Sequence, residues 1–176
     1  MDTITGLPAH PLLVHIPVVL LPLAAIATVA LIARRAWYER YRWVVLLMGA
    51  IGTVGAFLAA ASGESLEAQI RAKEGADAVR ELQDHAGAGD LARTLAIVFF
   101  VALAAYVIVP WLLDRRAPTA PTGEAPISTN TPRWLRASLS VVVVATAVAS
   151  MASIVDAGHS GASRAWDEFD SSPNGG

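Results

Sequence analysis

The four histidines are the side chains in this sequence best suited to ligand chemistry. An imidazole nitrogen ligates haem iron, zinc or copper, and the ring changes its charge near neutral pH. The histidines occur in the segments LPAHPLLVHIP, DHAGAGD and VDAGHSGA, as His10, His15, His85 and His159. If the fold brings them together, they predict a haem or metal site.

The first two histidines are spaced so that they cannot chelate one ion from a regular helix. Five residues correspond to about 500° of rotation, which leaves the rings roughly 140° apart. Pro11 suits a first helical position, so we expect His10 to be an extended residue at headgroup level. His15 lies about one turn inside an apolar stretch, where Pro17 removes a backbone donor. A polar ring at that depth is costly unless it faces the bundle, so His15 is a ligand candidate.

The last histidine has a carboxylate nearby. Asp156 precedes His159 by three residues, a spacing at which a carboxylate orients an imidazole ligand. Gly158 and Gly161 would permit the close approach of a flat ligand. In the alternative interpretation, Asp156 and Gly158 end the helix and His159 lies in a hydrated turn. His85 fits an exposed loop equally well.

Four apolar stretches must position these side chains. They cover roughly residues 11–33, 44–63, 94–113 and 137–155, and no charged residue interrupts them. A helix of ~20 residues crosses a ~30 Å hydrocarbon core. With 55% hydrophobic and 16% charged residues, this predicts an all-α membrane protein, a four-transmembrane-helix up-and-down bundle. We expect a single domain over residues 1–176, because the connections are too short for another.

The connecting segments differ in composition. Residues 64–93 form a predicted outer loop, in which apolar residues near helical spacing favour one or two short surface helices interrupted by Gly75. Residues 114–132 are rich in proline, threonine and alanine and predict a flexible cytoplasmic linker. The polar residues 167–176 predict a disordered tail.

Charges near the span ends predict the orientation. Two connections carry eight arginines against three acids, and positive charge stays on the cytoplasmic side during insertion. The tryptophans agree, since all five lie at or just beyond span ends. We therefore predict a multi-pass protein of the plasma membrane that is N-out and C-out, with its histidines outside. The eight arginines are Arg34, Arg35, Arg40, Arg42, Arg115, Arg116, Arg133 and Arg136.

Small residues predict close helix contacts. Gly49, Gly52 and Gly55 make one side of the second span small, and Ser138, Thr146, Ser150 and Ser153 do the same for the fourth. Small side chains let backbones approach in lipid, where dispersion drives packing.

Several function classes are excluded or unsupported. The absence of cysteine excludes thiol–disulfide exchange, covalent c-type haem and cysteine-ligated iron–sulfur clusters. The spans lack a midplane charge of the kind that marks transporters. No catalytic signature occurs, so we predict no catalytic residue, and nothing indicates a nucleic-acid partner.

Motifs along the chain resemble a known family. HPLLVHIPVVLLPLA, ASGE, DHAGAGDLAR and GHSGA are similar to the bacterial membrane family named domain of unknown function 2231 (DUF2231). The resemblance covers nearly the whole chain, and HPxxVHxP is its most specific part. It implies a four-helix membrane domain, joined in some relatives to Rieske or cytochrome modules, and hence a membrane redox protein as a partner. It implies no particular activity.

Two functional hypotheses follow. In the first, His15 and His159 are the axial ligands of a b-type haem, because the first and fourth helices of an up-and-down bundle are neighbours. His10, His85 and Asp156 complete the cluster, which would otherwise suit a zinc or copper ion. In the second, the protein is a structural or accessory subunit that packs against a partner through its small-residue faces.

The orientation is tested by reporter fusions. A fusion near Thr122 should report a cytoplasmic location and a fusion at the C-terminus an external one, because the arginines hold their connections inside. The opposite readings would overturn the orientation.

Overall fold

The structure is a computed structural model that describes residues 3–4, 7–74, 76–115 and 131–171. Side chains are described for residues 13–64, 87–115 and 131–159. Two short strands, β1 (Thr3–Ile4) and β2 (Leu7–Pro8), pair antiparallel at the N-terminus. The helices α1 (Ala9–Ala33), α2 (Arg35–Glu74), α3 (Ala76–Arg115) and α4 (Arg133–Ser171) follow.

All four helices are long and apolar enough to cross a membrane. The candidate spans are Leu13–Ala33, Arg35–Glu64, Gly87–Arg115 and Arg133–His159. This confirms the predicted four-span membrane protein.

Each helix packs against the next one along the chain, and α4 also contacts α1. Near one end of the α2–α3 pair, the rings of Trp43 and Trp111 meet edge to face, with centroids 5.3 Å apart. Further along, the Thr53 hydroxyl lies 3.4 Å from the carbonyl oxygen of Ala96. From the first contact to the second, the residue number rises along α2 and falls along α3. The two helices are therefore antiparallel. The bundle is therefore up-and-down, as predicted.

Glycines bring α2 close to both neighbours. A Cβ built at Gly52 would lie 2.9 Å from Leu21 of α1, and one at Gly55 would lie 2.5 Å from Ile16 Cγ2. The corresponding Cβ at Gly49 would lie 2.8 Å from a methyl group of Leu103 in α3. The prediction that Gly52 and Gly55 face a neighbouring helix is confirmed.

Alanine, valine and leucine dominate the core between the helices, with Phe99 and two tyrosines as its largest members. The buried hydroxyls of Thr28, Thr53 and Ser153 donate to carbonyl oxygens about one turn earlier in their own helices, at 2.7–2.9 Å. Such bonds satisfy a polar group that would be costly in an apolar interior.

The predicted small face of α4 is only partly correct. Ser150 and Ser153 are buried, but Ser138 is exposed. Ser138 lies twelve residues before Ser150. Its side chain is therefore rotated about 120° around the helix axis from that of Ser150.

A polar contact ties the end of α3 to the chain just before α4. Asp114 Oδ1 accepts from the backbone N–H of Thr131 at 3.3 Å and from its hydroxyl at 3.1 Å. Asp114 also lies 3.9 Å from the Arg136 guanidinium. The two helix ends are thereby held together, whereas most of the predicted linker, residues 116–130, lies outside the described part of the chain.

Three details of the helix boundaries differ from the sequence predictions. The predicted outer loop belongs to α2 and α3, which run to Glu74 and start at Ala76, instead of forming separate short surface helices. His10 is helical because α1 already begins at Ala9. A proline is compatible with the first turn, because the N–H groups there have no partner within the helix and proline has no N–H. Residues 167–171 of the predicted tail belong to α4, and residues 172–176 lie outside the description.

The close contact at Gly55 is tested by adding one methyl group. Gly55→Ala should lower the stability of the purified protein by about 1–3 kcal/mol, because the methyl overlaps Ile16 and Pro17. Gly87→Ala is the matched control, since no neighbouring atom among the described residues lies within 4 Å of its added Cβ, apart from the backbone of its own helix. The control should be neutral or stabilising, as alanine favours a helix over glycine by up to about 1 kcal/mol. Unfolding in detergent measures both, and equal stabilities would refute the contact.

Candidate ligand site at the histidine end

The antiparallel helices place four segments at one end of the bundle. These are the start of α1, the end of α2, the start of α3 and the end of α4, here called the histidine end. His15 lies in α1 six residues after its first residue, and His159 lies in the last part of α4. His10 and His85 belong to the first parts of α1 and α3, and their side chains lie outside the description.

The two described imidazoles lie on the surface of the isolated chain. Both His15 and His159 are exposed. Both residues have an interaction partner within the chain. The contact between α1 and α4 agrees with the expectation that these two helices are neighbours. The expectation that the His15 and His159 side chains face the bundle interior is therefore wrong for the isolated chain, and a ligand shared by them would bind at the outside of the bundle.

His159 lines an open groove of about 620 Å³ on α4. The described lining residues recur at intervals of three and four, so they form a single helix face. They are Val148, Met151, Ala152, Val155, Asp156 and His159.

The groove changes in character along α4. Its longer part is apolar, and its last turn carries Asp156 and His159, both exposed. A carboxylate and an imidazole at the end of an apolar surface suit an occupant with an apolar body and a polar or metal-bearing end. His15 is not among the described residues that line this groove.

The described side chains contain no group of three or more His, Cys, Asp or Glu residues placed to hold a metal ion. His10 and His85 are outside that set. The four-histidine cluster therefore stays a prediction.

An ion-pair network links α2 and α3 beside the histidine end. Arg93 of α3 contacts Glu64 of α2 at 3.7 Å and Asp90 of its own helix at 3.0 Å. Its guanidinium also lies 6.0 Å from the ring centroid of Phe57. This network is not predictable from the sequence, because the α2–α3 contact depends on how the two helices meet.

The apolar part of the groove was also missed. Its signal was available in the sequence, since Val148, Ala152 and Val155 are three and four residues apart and lead to His159. In a membrane helix, however, such a stripe is hard to distinguish from an ordinary lipid-facing surface.

The segment that forms the first two helices and carries His10 and His15 is similar to a known family. Residues 6–83 match the family of predicted membrane proteins DUF2231. The DUF2231 match confirms the resemblance over this part of the chain, whereas Asp156, His85 and His159 lie beyond it. No curated protein and no solved structure matches the chain.

Proposed function

We propose that the protein is an accessory component of a complex in the bacterial plasma membrane, N-out and C-out. Its partner is a membrane protein in a redox setting, docked on the groove face of α4. The proposal assigns no catalytic residue to this chain.

The observation that carries the proposal is the polar end of the α4 groove. An apolar helix face alone needs only lipid, so Val148 and Val155 by themselves do not indicate a partner. Asp156 and His159 extend the same face with a charged group and a ring that donates and accepts hydrogen bonds. Both side chains are exposed at the end of the span, where a partner chain with polar groups at that level would contact them.

Packing inside the bundle supports the same interpretation. In the span of α4, 28% of the most apolar window is buried, against 39% in α3. Because α4 is the less covered of the two, it has the larger free surface for a partner. A neighbouring helix gains dispersion contacts there without disturbing the core.

Filling the groove tests the docking site. Ala152→Trp should remove the partner, because the indole occupies the space into which the partner packs. Ala145→Trp is the matched control, since Ala145 is also an exposed alanine of α4 but lies outside the groove lining. The mass of the native complex, measured by gel electrophoresis of gently solubilised membranes, should fall for Ala152→Trp alone. Equal masses for both variants would contradict the docking site.

The second candidate function is binding of a b-type haem or a metal ion at the same end. It is favoured by one observation, the imidazole of His159 at the end of an apolar groove. His159 would supply one axial ligand and His15 the other, while Asp156 would orient the His159 ring. His10 and His85 would complete a metal site if the ligand were a zinc or copper ion.

An absorption spectrum, with metal analysis, tests this candidate. The purified protein should show a haem band that shifts on reduction, or a stoichiometric metal, and His159→Ala should abolish it. His15→Ala should do the same, and His10→Ala should retain most of the signal. A colourless, metal-free protein that still forms its native complex would exclude this candidate and leave the accessory role.

A further inference from the structure

The end of the bundle opposite the histidines carries a strong excess of positive charge. It contains the end of α1, the start of α2, the end of α3 and the start of α4, here called the arginine end. Its described residues include seven arginines and two acids, Glu39 and Asp114. The arginines are Arg34, Arg35, Arg40, Arg42, Arg115, Arg133 and Arg136.

Three of these arginines surround one buried ring. The guanidinium carbons of Arg35, Arg42 and Arg136 lie 5.3, 5.4 and 5.8 Å from the ring centroid of Tyr38. Tyr38 is 3% exposed, and its hydroxyl donates to the carbonyl oxygens of residues 106 and 107 in α3, each at 3.3 Å. The ring is thus fixed between the helices and sets the positions of the three cations.

The two acids leave this cluster incompletely neutralised. Glu39 pairs with Arg35 at 2.7 Å and also with Arg42. Asp114 lies 3.9 Å from Arg136, which is beyond hydrogen-bonding distance. Three cations therefore face two carboxylates, one of which is already engaged by Thr131.

Two donors in the cluster have no hydrogen-bond partner within the described chain. They are Nε of Arg42 and Nη2 of Arg136, and both atoms are buried. A buried unsatisfied donor on a charged group is expensive, so such donors mark a place where a further acceptor fits. The two side chains are 18% and 26% exposed, so the cluster lies close to the surface of the bundle.

Aromatic rings place this cluster at the depth of lipid headgroups. Trp37 and Trp43 are exposed beside it, and tryptophan prefers the membrane–water boundary. Arg115 stacks 4.5 Å from the Trp111 ring centroid. Below this level, Val44 and Leu47 present apolar surface to acyl chains.

We propose that the arginine end binds the headgroup of an anionic phospholipid at the Tyr38 cluster. The phosphodiester oxygens accept hydrogen bonds from Arg42 and Arg136, and Arg35 adds a third positive charge. Guanidinium groups match phosphate geometry with two parallel donors, which is why arginine favours this ligand. The site lies at the opposite end from the histidines and does not depend on the proposed function.

Lipid retention by the purified protein tests the proposal. Native mass spectrometry should show phosphatidylglycerol retained over phosphatidylcholine. Arg136→Gln should reduce the retention of phosphatidylglycerol about fivefold, since it removes a guanidinium donor to the phosphate and one such hydrogen bond contributes about 1 kcal/mol. Arg40→Gln is the matched control, because it removes the same charge from the same end but does not contact the Tyr38 ring, and it should change retention less than about twofold.

Several results would overturn the site. Equal retention of the two lipids would show that no anionic headgroup is selected. An equal loss in Arg40→Gln would assign the effect to diffuse charge. Displacement of the lipid by inorganic phosphate alone would make the ligand a free anion. If Arg136→Gln fails to fold, Arg35→Gln serves instead, because that side chain is 46% exposed and lies on the same ring.

Discussion

The close approach of α2 to both of its neighbours is the constraint on which the bundle depends. Gly52 and Gly55 let α1 pack against one side of α2, and Gly49 admits a leucine of α3 on another. Within lipid, exclusion of water does not drive helices together, so contacts at van der Waals distance decide which faces meet. These contacts fix the antiparallel order of α1, α2 and α3, and the packing of α4 against α3 and α1 brings His159 to the same end as His15.

Polar residues serve different purposes inside the bundle and at its two ends. Within the bundle, the hydroxyls of Thr28 and Thr53 donate hydrogen bonds to carbonyl oxygens of their own helices. Thr53 also makes a weak contact to α3. At the ends, polar groups connect helices: Arg93 joins α3 to α2, and the Tyr38 hydroxyl reaches from α2 to α3. The polar groups that can recognise a ligand or a partner therefore lie mainly at the two ends of the bundle.

Periodic and compositional features were predictable from the sequence, whereas features that depend on tertiary contact were not. The four spans and the glycine face of α2 follow from local pattern, and the structure confirms them. The helical extensions over residues 64–74 and 76–93 exceed the prediction, because charged residues and Gly75 are typical of loops, although the alanine and glutamate of these segments favour helices. Of the candidate site, Asp156 and His159 were identified by spacing, but their groove was not. The Tyr38 cluster was not predictable from the sequence, because Arg136 is 98 residues from Tyr38 in the chain.

The hydrogen bonds between Asp114 and Thr131 have a consequence for the evolution of the chain. It fixes the two ends of the segment between α3 and α4 independently of what the segment contains. Lengthening a loop whose ends are already held costs only about 0.6 kcal/mol for each doubling. Insertions of whole sequence modules at this position are therefore nearly neutral for the bundle. This connection is where new domains could be acquired without redesign of the membrane core.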